Sequence, residues 1–254
     1  MARTIAVANQ KGGVGKTTTT INLSAALAEQ GKKVLLVDLD PQGNANSGVG
    51  VDKRDLENTV YELFVGRTTL DECLLETDFL NLSVLPANIN LSGAEIDLID
   101  MENREYHLKD ILQQIKDDYD FILIDCPPSL NMLTVNAMTA ADTVLVPIQC
   151  EYYALEGLSQ LIHTINLVKK RLNPHLQLEG VVFTMYDART KLSMQVVENV
   201  KQTLKENIYN TIIPRSIKLA EAPSYGMPIT AYAPTSPGAD AYRLLAMEVI
   251  DHKV

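Results

Sequence analysis

Cysteine is scarce: Cys73, Cys126 and Cys150 are the only three in 254 residues, an odd number with no C-x-x-C pair. That excludes a disulfide framework and a zinc knuckle, and it suits a reducing compartment such as the cytoplasm. Long apolar runs are missing too, since no stretch approaches the roughly 20 residues that cross a bilayer. The N-terminus, Met1 to Ala8, turns polar too early for the apolar region of a secretory signal. Internal repeats, low-complexity tracts and Pro/Gly linkers are absent as well, which points to one domain over residues 1–254. Positive charge is in deficit, with 22 Lys and Arg against 32 Asp and Glu, a net charge of −10. Taken over the whole chain, that balance speaks against nucleic acid as a partner.

What is present is the composition of a soluble globular chain, 46% hydrophobic and 21% charged. The charge is unevenly placed. Val51–Asp125 carries six basic and eighteen acidic side chains, a net −12, whereas Lys169–Lys218 carries nine basic and four acidic, a net +5. The deficit is therefore a polarity along the chain.

Short Val- and Ile-rich runs recur at Thr4–Ala8, Val34–Val37, Leu82–Leu85, Phe121–Ile124, Thr143–Ile148, Gly180–Phe183 and Thr211–Ile213. They lack a period of two, as expected of parallel strands covered on both faces. Helical patterns alternate with them at Thr17–Gln30, Leu108–Ile115, Leu130–Ala141, Leu155–Leu172, Leu192–Leu204 and Ala239–Ile250. Such alternation implies an α/β fold with a doubly wound, mostly parallel sheet and helices on both faces. Gly43–Leu80 is the expected insertion or mobile region.

Directly after the first strand comes Gln10-Lys11-Gly12-Gly13-Val14-Gly15-Lys16-Thr17-Thr18, opening into a helix. Glycines let successive N–H groups turn inward around a phosphate chain, and the helix N-terminus adds positive potential. Lys16 is placed to reach the β- and γ-phosphates and the Thr17 hydroxyl to ligate Mg²⁺. A Gly-rich turn that merely caps a helix is the alternative. An ordinary P-loop has glycine where Gln10 stands, and the neighbouring Lys11 adds a second cation that needs anionic partners.

Lys11–Thr18 resembles the deviant Walker A motif of the ParA/MinD ATPases, a branch of the P-loop NTPases. Val37-Asp38-Leu39-Asp40-Pro41-Gln42-Gly43-Asn44, Ile124-Asp125-Cys126-Pro127-Pro128-Ser129 and Glu151-Tyr152-Tyr153-Ala154-Leu155-Glu156-Gly157 are similar to ParA blocks in order and spacing, nearest to the short chromosomal ParA, or Soj, group. The resemblance implies ATP and Mg²⁺ as cofactors and a nucleotide site formed by Lys11, Gly12, Gly13, Val14, Gly15, Lys16, Thr17 and Thr18. It also implies an ATP-dependent homodimer in which Lys11 crosses onto the partner's phosphates. Asp125 follows an apolar run, as a Walker B residue holding Mg²⁺ through water does. Asp40 is implied to orient the attacking water, with Asp38 as the rival at the same strand end and a simple turn-forming role open for either. Within Ile212–Ser224, the resemblance assigns Pro214 and Ser216 to the adenine; Pro214 read alone is a strand terminator.

The same resemblance places Arg189 and Lys218 on a DNA-facing surface, although exposed basic residues are often only a solvated face. With no aromatic stacking platform or helix-turn-helix, contacts to double-stranded DNA should be to phosphates and non-specific. A ParB-like centromere-binding protein is the implied partner and the nucleoid the implied location. A MinD-like membrane-associated regulator of cell-division sites is the alternative. It needs a terminal amphipathic helix with a basic face, whereas Ala239–Val254 has Arg243 and Lys253 against Asp240, Glu248 and Asp251, so no membrane partner is expected. An electron-transfer ATPase needs paired cluster cysteines, and Cys126 and Cys150 read as buried hydrophobes. A nucleotide-binding scaffold without turnover is the remaining reading. With the first strand starting so near Met1, no preceding operator-binding domain is expected.

Overall fold

The computed structural model describes residues 1–54, 56–151, 154–204 and 207–252. Tyr152 and Tyr153 of the third block, Asp55, Lys205 and Glu206 of the charge counts, and the Lys253–Val254 end of the tail lie outside them. The strands are β1 (Arg3–Val7), β2 (Val34–Asp38), β3 (Leu75–Glu76), β4 (Leu82–Leu85), β5 (Phe121–Asp125), β6 (Thr143–Gln149), β7 (Gln177–Tyr186) and β8 (Ile208–Pro214). They form a sheet in the order β3-β4-β2-β5-β1-β6-β7-β8, parallel throughout except for the antiparallel β3. Two-residue β3 is too short to leave a periodic signal in the sequence.

Adjacent residues of each strand feed opposite cores. Ala6, Leu35, Val37, Ile122, Ile124, Val144 and Val146 face one cluster, and Ile5, Val7, Val34, Leu36, Leu123 and Leu145 face the other. Both sets are apolar because helices cover both faces, which is why the strands read as continuous hydrophobic runs. Helices His107–Gln113, Met132–Ala140, Ala154–Arg171 and Lys191–Leu204 cover the first face; Lys16–Glu29 and Pro237–Asp251 cover the second. Tyr242 anchors the last pair, its buried hydroxyl lying 3.2 Å from that of Thr19.

The helix expected from Leu130 starts at Met132, because the Asn131 side chain accepts the Thr134 N–H at 3.1 Å and caps it. Gly43–Leu80 contains the short helices Asn44–Gly48, Val60–Phe64 and Leu70–Cys73. Thr59/Glu62 and Thr69/Glu72 capping boxes start the latter two.

Sequential connections run from β1 toward β2 on one side, and from β6 through β7 to β8 on the other. The reversal at β1 opens a crevice beyond the carboxyl ends of the strands, where such sheets bind ligands. The charge polarity maps onto the same division. The acidic segment supplies β3, β4 and β5, while the basic one supplies β7, the helix Lys191–Leu204 and β8.

Candidate nucleotide site

The loop between β1 and helix Lys16–Glu29 turns on Gly13 and Gly15, at φ 74° and 87°. Side chains other than glycine rarely adopt that conformation. The loop is clamped to the neighbouring strands. Thr184 Oγ1 donates to the Val14 carbonyl at 2.8 Å, and Asn9 donates to the Pro147 carbonyl at 2.8 Å while accepting the Lys11 N–H at 3.0 Å. Gly12 and Gly13 are exposed, Val14 is buried, and Thr17 and Thr18 are half-buried at the first helical turn.

The two lysines diverge. Lys16 is buried and its Nζ donates to the Lys11 carbonyl at 3.2 Å, curling over the loop. Burial lowers its pKa, opposed by the negative field of Asp125. Lys11 instead projects to Glu151 beyond β6, with Nζ to Oε2 at 2.6 Å and both side chains nearly half exposed. Glu151 is steadied by Gln149 Nε2, which donates to Oε1 at 2.6 Å. This pairing leaves no trace in the local sequence, because its partners are 140 residues apart.

Three aspartates gather at the other side of the crevice. Asp125 ends β5, is fully buried, and accepts the Thr20 hydroxyl on Oδ1 at 3.1 Å. Burial pushes its pKa up to about 7; the Thr17 and Thr20 side chains and Lys16 oppose the rise, and the charge of Asp40 adds to it. Its Oδ2 is buried without a hydrogen-bond partner. A buried carboxylate oxygen in that state calls for a donor or a cation. Among the described residues no three His, Cys, Asp or Glu side chains converge on a metal position. This donor set fits Mg²⁺, which keeps several waters and takes few protein oxygens, with the half-buried Thr17 hydroxyl and Asp125 as the candidates.

Asp38 rather than Asp40 ends β2. Asp38 is fully buried, accepts the Asp40 N–H on Oδ1 at 3.0 Å, and accepts the Ala45 and Asn46 N–H groups on Oδ2 at 3.0 and 3.2 Å. It therefore scaffolds the following loop and has no oxygen free for chemistry. Asp40 lies two residues past the strand, half-buried, its Oδ1 accepting the Gln42 N–H at 2.9 Å. Asn46 ties the loop to the end of β4, donating to the Ala87 carbonyl and accepting the Ala87 N–H.

Pro214 and Ser216 line a cavity of about 220 Å³ together with Gly15 and Thr18 of the loop. Ile213, Leu219 and Ala220 line it too, and so do Thr184, Met185, Arg215 and Tyr242. Sequence reasoning missed these four; Met185 has a positive φ of 50°, which no local pattern announces.

Arg189 and Lys218 follow the adjacent strands β7 and β8 and so emerge on the same side of the sheet, both exposed. Arg189 is not a free cation. Its guanidinium forks onto Asp187 at 2.8 and 2.7 Å and holds that carboxyl down at about 2. Arg215 adds to the field on Asp187, a third cation of this edge.

The chain is similar to known proteins over nearly its full length. The family profile described as an AAA domain matches residues 2–178. The sporulation initiation inhibitor protein Soj of Bacillus subtilis is 55% identical over 249 residues, 98% of each chain, and the chromosome partitioning protein ParA of Myxococcus xanthus is 50% identical over 98% of this chain and 88% of its own. Among solved structures, a cobyrinic acid a,c-diamide synthase from Mycobacterium smegmatis with bound ADP and magnesium superposes with a TM-score of 0.88 at 42% identity, covering 99% of this chain and 95% of its own. The cell division ATPase MinD of Pyrococcus furiosus gives 0.81 at 30% identity over 99% of both chains. With its deviant Walker A loop, its strand-end aspartates and relatives alike over nearly the full length, the chain belongs to the ParA/MinD family of ATPases, in the Soj-type group.

Proposed function

We propose that residues 1–254 form one Mg²⁺-dependent ATPase domain that partitions DNA, with two ATP-bound subunits pairing and binding double-stranded DNA without sequence preference. The observation that carries the reading is the divergence of the two lysines. Lys16 lies over its own loop, whereas Lys11 leaves it for the surface beside Glu151, a position suited to a second subunit's phosphates.

In this reading Lys16 and the N–H groups of Gly12–Thr18 bind the phosphates, and Pro214 and Ser216 border the adenine. Thr17 and Asp125 hold Mg²⁺, which when bound neutralises charge on the phosphate oxygens. Asp40 accepts a hydrogen bond from the attacking water and aims it at the γ-phosphate, while Asp38 keeps Asp40 in place. Phosphoryl transfer needs little more from a protein than such positioning and charge neutralisation.

Arg189 and Lys218, doubled by dimerisation, supply phosphate contacts, and a ParB-like centromere-binding protein stimulates hydrolysis and releases the dimer from the nucleoid. Among the described residues no helix is long and apolar enough to cross a membrane. The helix Pro237–Asp251 has Arg243 committed to Glu29 at 2.8 Å, which leaves little of the basic face a MinD-like membrane helix requires. The Mycobacterium smegmatis structure carries another activity in its name, but the partitioning relatives share more of this sequence, 55% and 50% against 42%.

Nucleotide binding and turnover in two variants test the roles. Lys16→Ala is expected to lose nucleotide binding. Asp40→Ala is expected to bind ATP, fail to hydrolyse it and accumulate as a DNA-bound dimer. Hydrolysis by Asp40→Ala at the normal rate would remove Asp40 from the mechanism.

A further inference from the structure

The P-loop pattern ends at Thr18, yet the fully buried Thr20 reaches the centre of the site. Its hydroxyl stands 3.0 Å from the Lys16 carbonyl and 3.1 Å from Asp125 Oδ1, so one proton faces two acceptors. Threonine inside a helix ordinarily bonds back to the carbonyl one turn earlier. A carboxylate is the stronger acceptor, so once Asp125 is ionised the hydroxyl donates to its Oδ1. That bond occupies Oδ1 and leaves Oδ2 as the buried oxygen with no partner.

We propose that Thr20 is a positioning residue for the divalent cation: by holding Oδ1 of Asp125 it fixes the carboxylate so that Oδ2 is the oxygen offered to the hydrated Mg²⁺. Thr20 touches neither nucleotide nor metal and acts through Asp125. The inference rests on the reading that the chain binds a magnesium nucleotide. Groups that orient a metal ligand from behind typically change metal affinity about 10- to 100-fold when removed.

The test is titration of a fluorescent ADP analogue into the full chain, with and without Mg²⁺, for wild type, Thr20→Val and Thr20→Ser. Valine keeps the methyl group and loses the hydroxyl; serine does the reverse. Without Mg²⁺ all three should bind within about twofold of one another. With Mg²⁺ the gain in affinity should shrink about 10-fold in Thr20→Val and survive in Thr20→Ser. An undiminished Mg²⁺ gain in Thr20→Val overturns the proposal. Equal loss in Thr20→Ser overturns it too, because the methyl packing would then be responsible. If the wild type itself shows no Mg²⁺-dependent binding, the nucleotide reading fails and takes this inference with it.

Discussion

Asp38 and Asp125 face each other across adjacent parallel strands β2 and β5, both fully buried at the mouth of the crevice. Each pKa lies above the ordinary carboxylate value, first because burial penalises the charged form, with the charge of Asp125 as the next contribution at Asp38. Two neighbouring buried carboxylates disfavour joint ionisation, and a cation between the strand ends relieves them.

A pH dependence follows for the nucleotide-free protein. The raised value of about 7 at Asp125 means that the folded state holds a proton the unfolded chain has already released. The resulting stability is fully present below about pH 4. It is lost progressively as pH rises from about 4 through about 7, above which Asp125 is ionised in both states and the loss is complete. Asp125→Asn, which cannot ionise, should therefore gain stability relative to the wild type between pH 5 and pH 8, by more than about 1 kcal/mol. Urea denaturation of both proteins across that range checks the sign. A constant difference between them would show that Asp125 does not titrate there.

The Lys11–Glu151 pair is half exposed, so its contribution to stability should be small, under about 1 kcal/mol. Lys11→Ala should accordingly unfold close to the wild type and bind nucleotide within about twofold, since Lys11 points away from its own loop. It should nonetheless fail to dimerise with ATP. Sedimentation velocity of the variant with ATP and with ADP reads this directly, and a normal ATP dimer would remove Lys11 from the interface.

The parts of the site legible in the sequence are those built by consecutive residues. Gly12–Thr18 must turn and then open a helix whatever surrounds it, and an apolar run ending at Asp125 places that carboxylate at a strand end in any parallel sheet. Long-range relations were not legible. That Asp38 is spent on the Asp40, Ala45 and Asn46 N–H groups depends on how the loop folds back. That Lys11 finds Glu151 depends on β6 lying beside β1. The cavity beside Pro214 is walled in part by Tyr242, from a helix that meets the P-loop helix only in the folded molecule. Net charge misled for a related reason: acidic and basic segments fall on opposite halves of one sheet, so their sum describes neither.

Titration of random-sequence duplex DNA with the protein in ATP, in ADP and without nucleotide tests the proposed switch, in which ATP turns on DNA binding by pairing two basic edges. The expected result is tight, salt-sensitive binding in ATP alone. Binding should weaken when Arg189→Ala removes the guanidinium that phosphate must draw from Asp187. Equal binding in ADP and ATP, or binding indifferent to salt and to Arg189, would show that ATP does not switch on DNA binding through this edge.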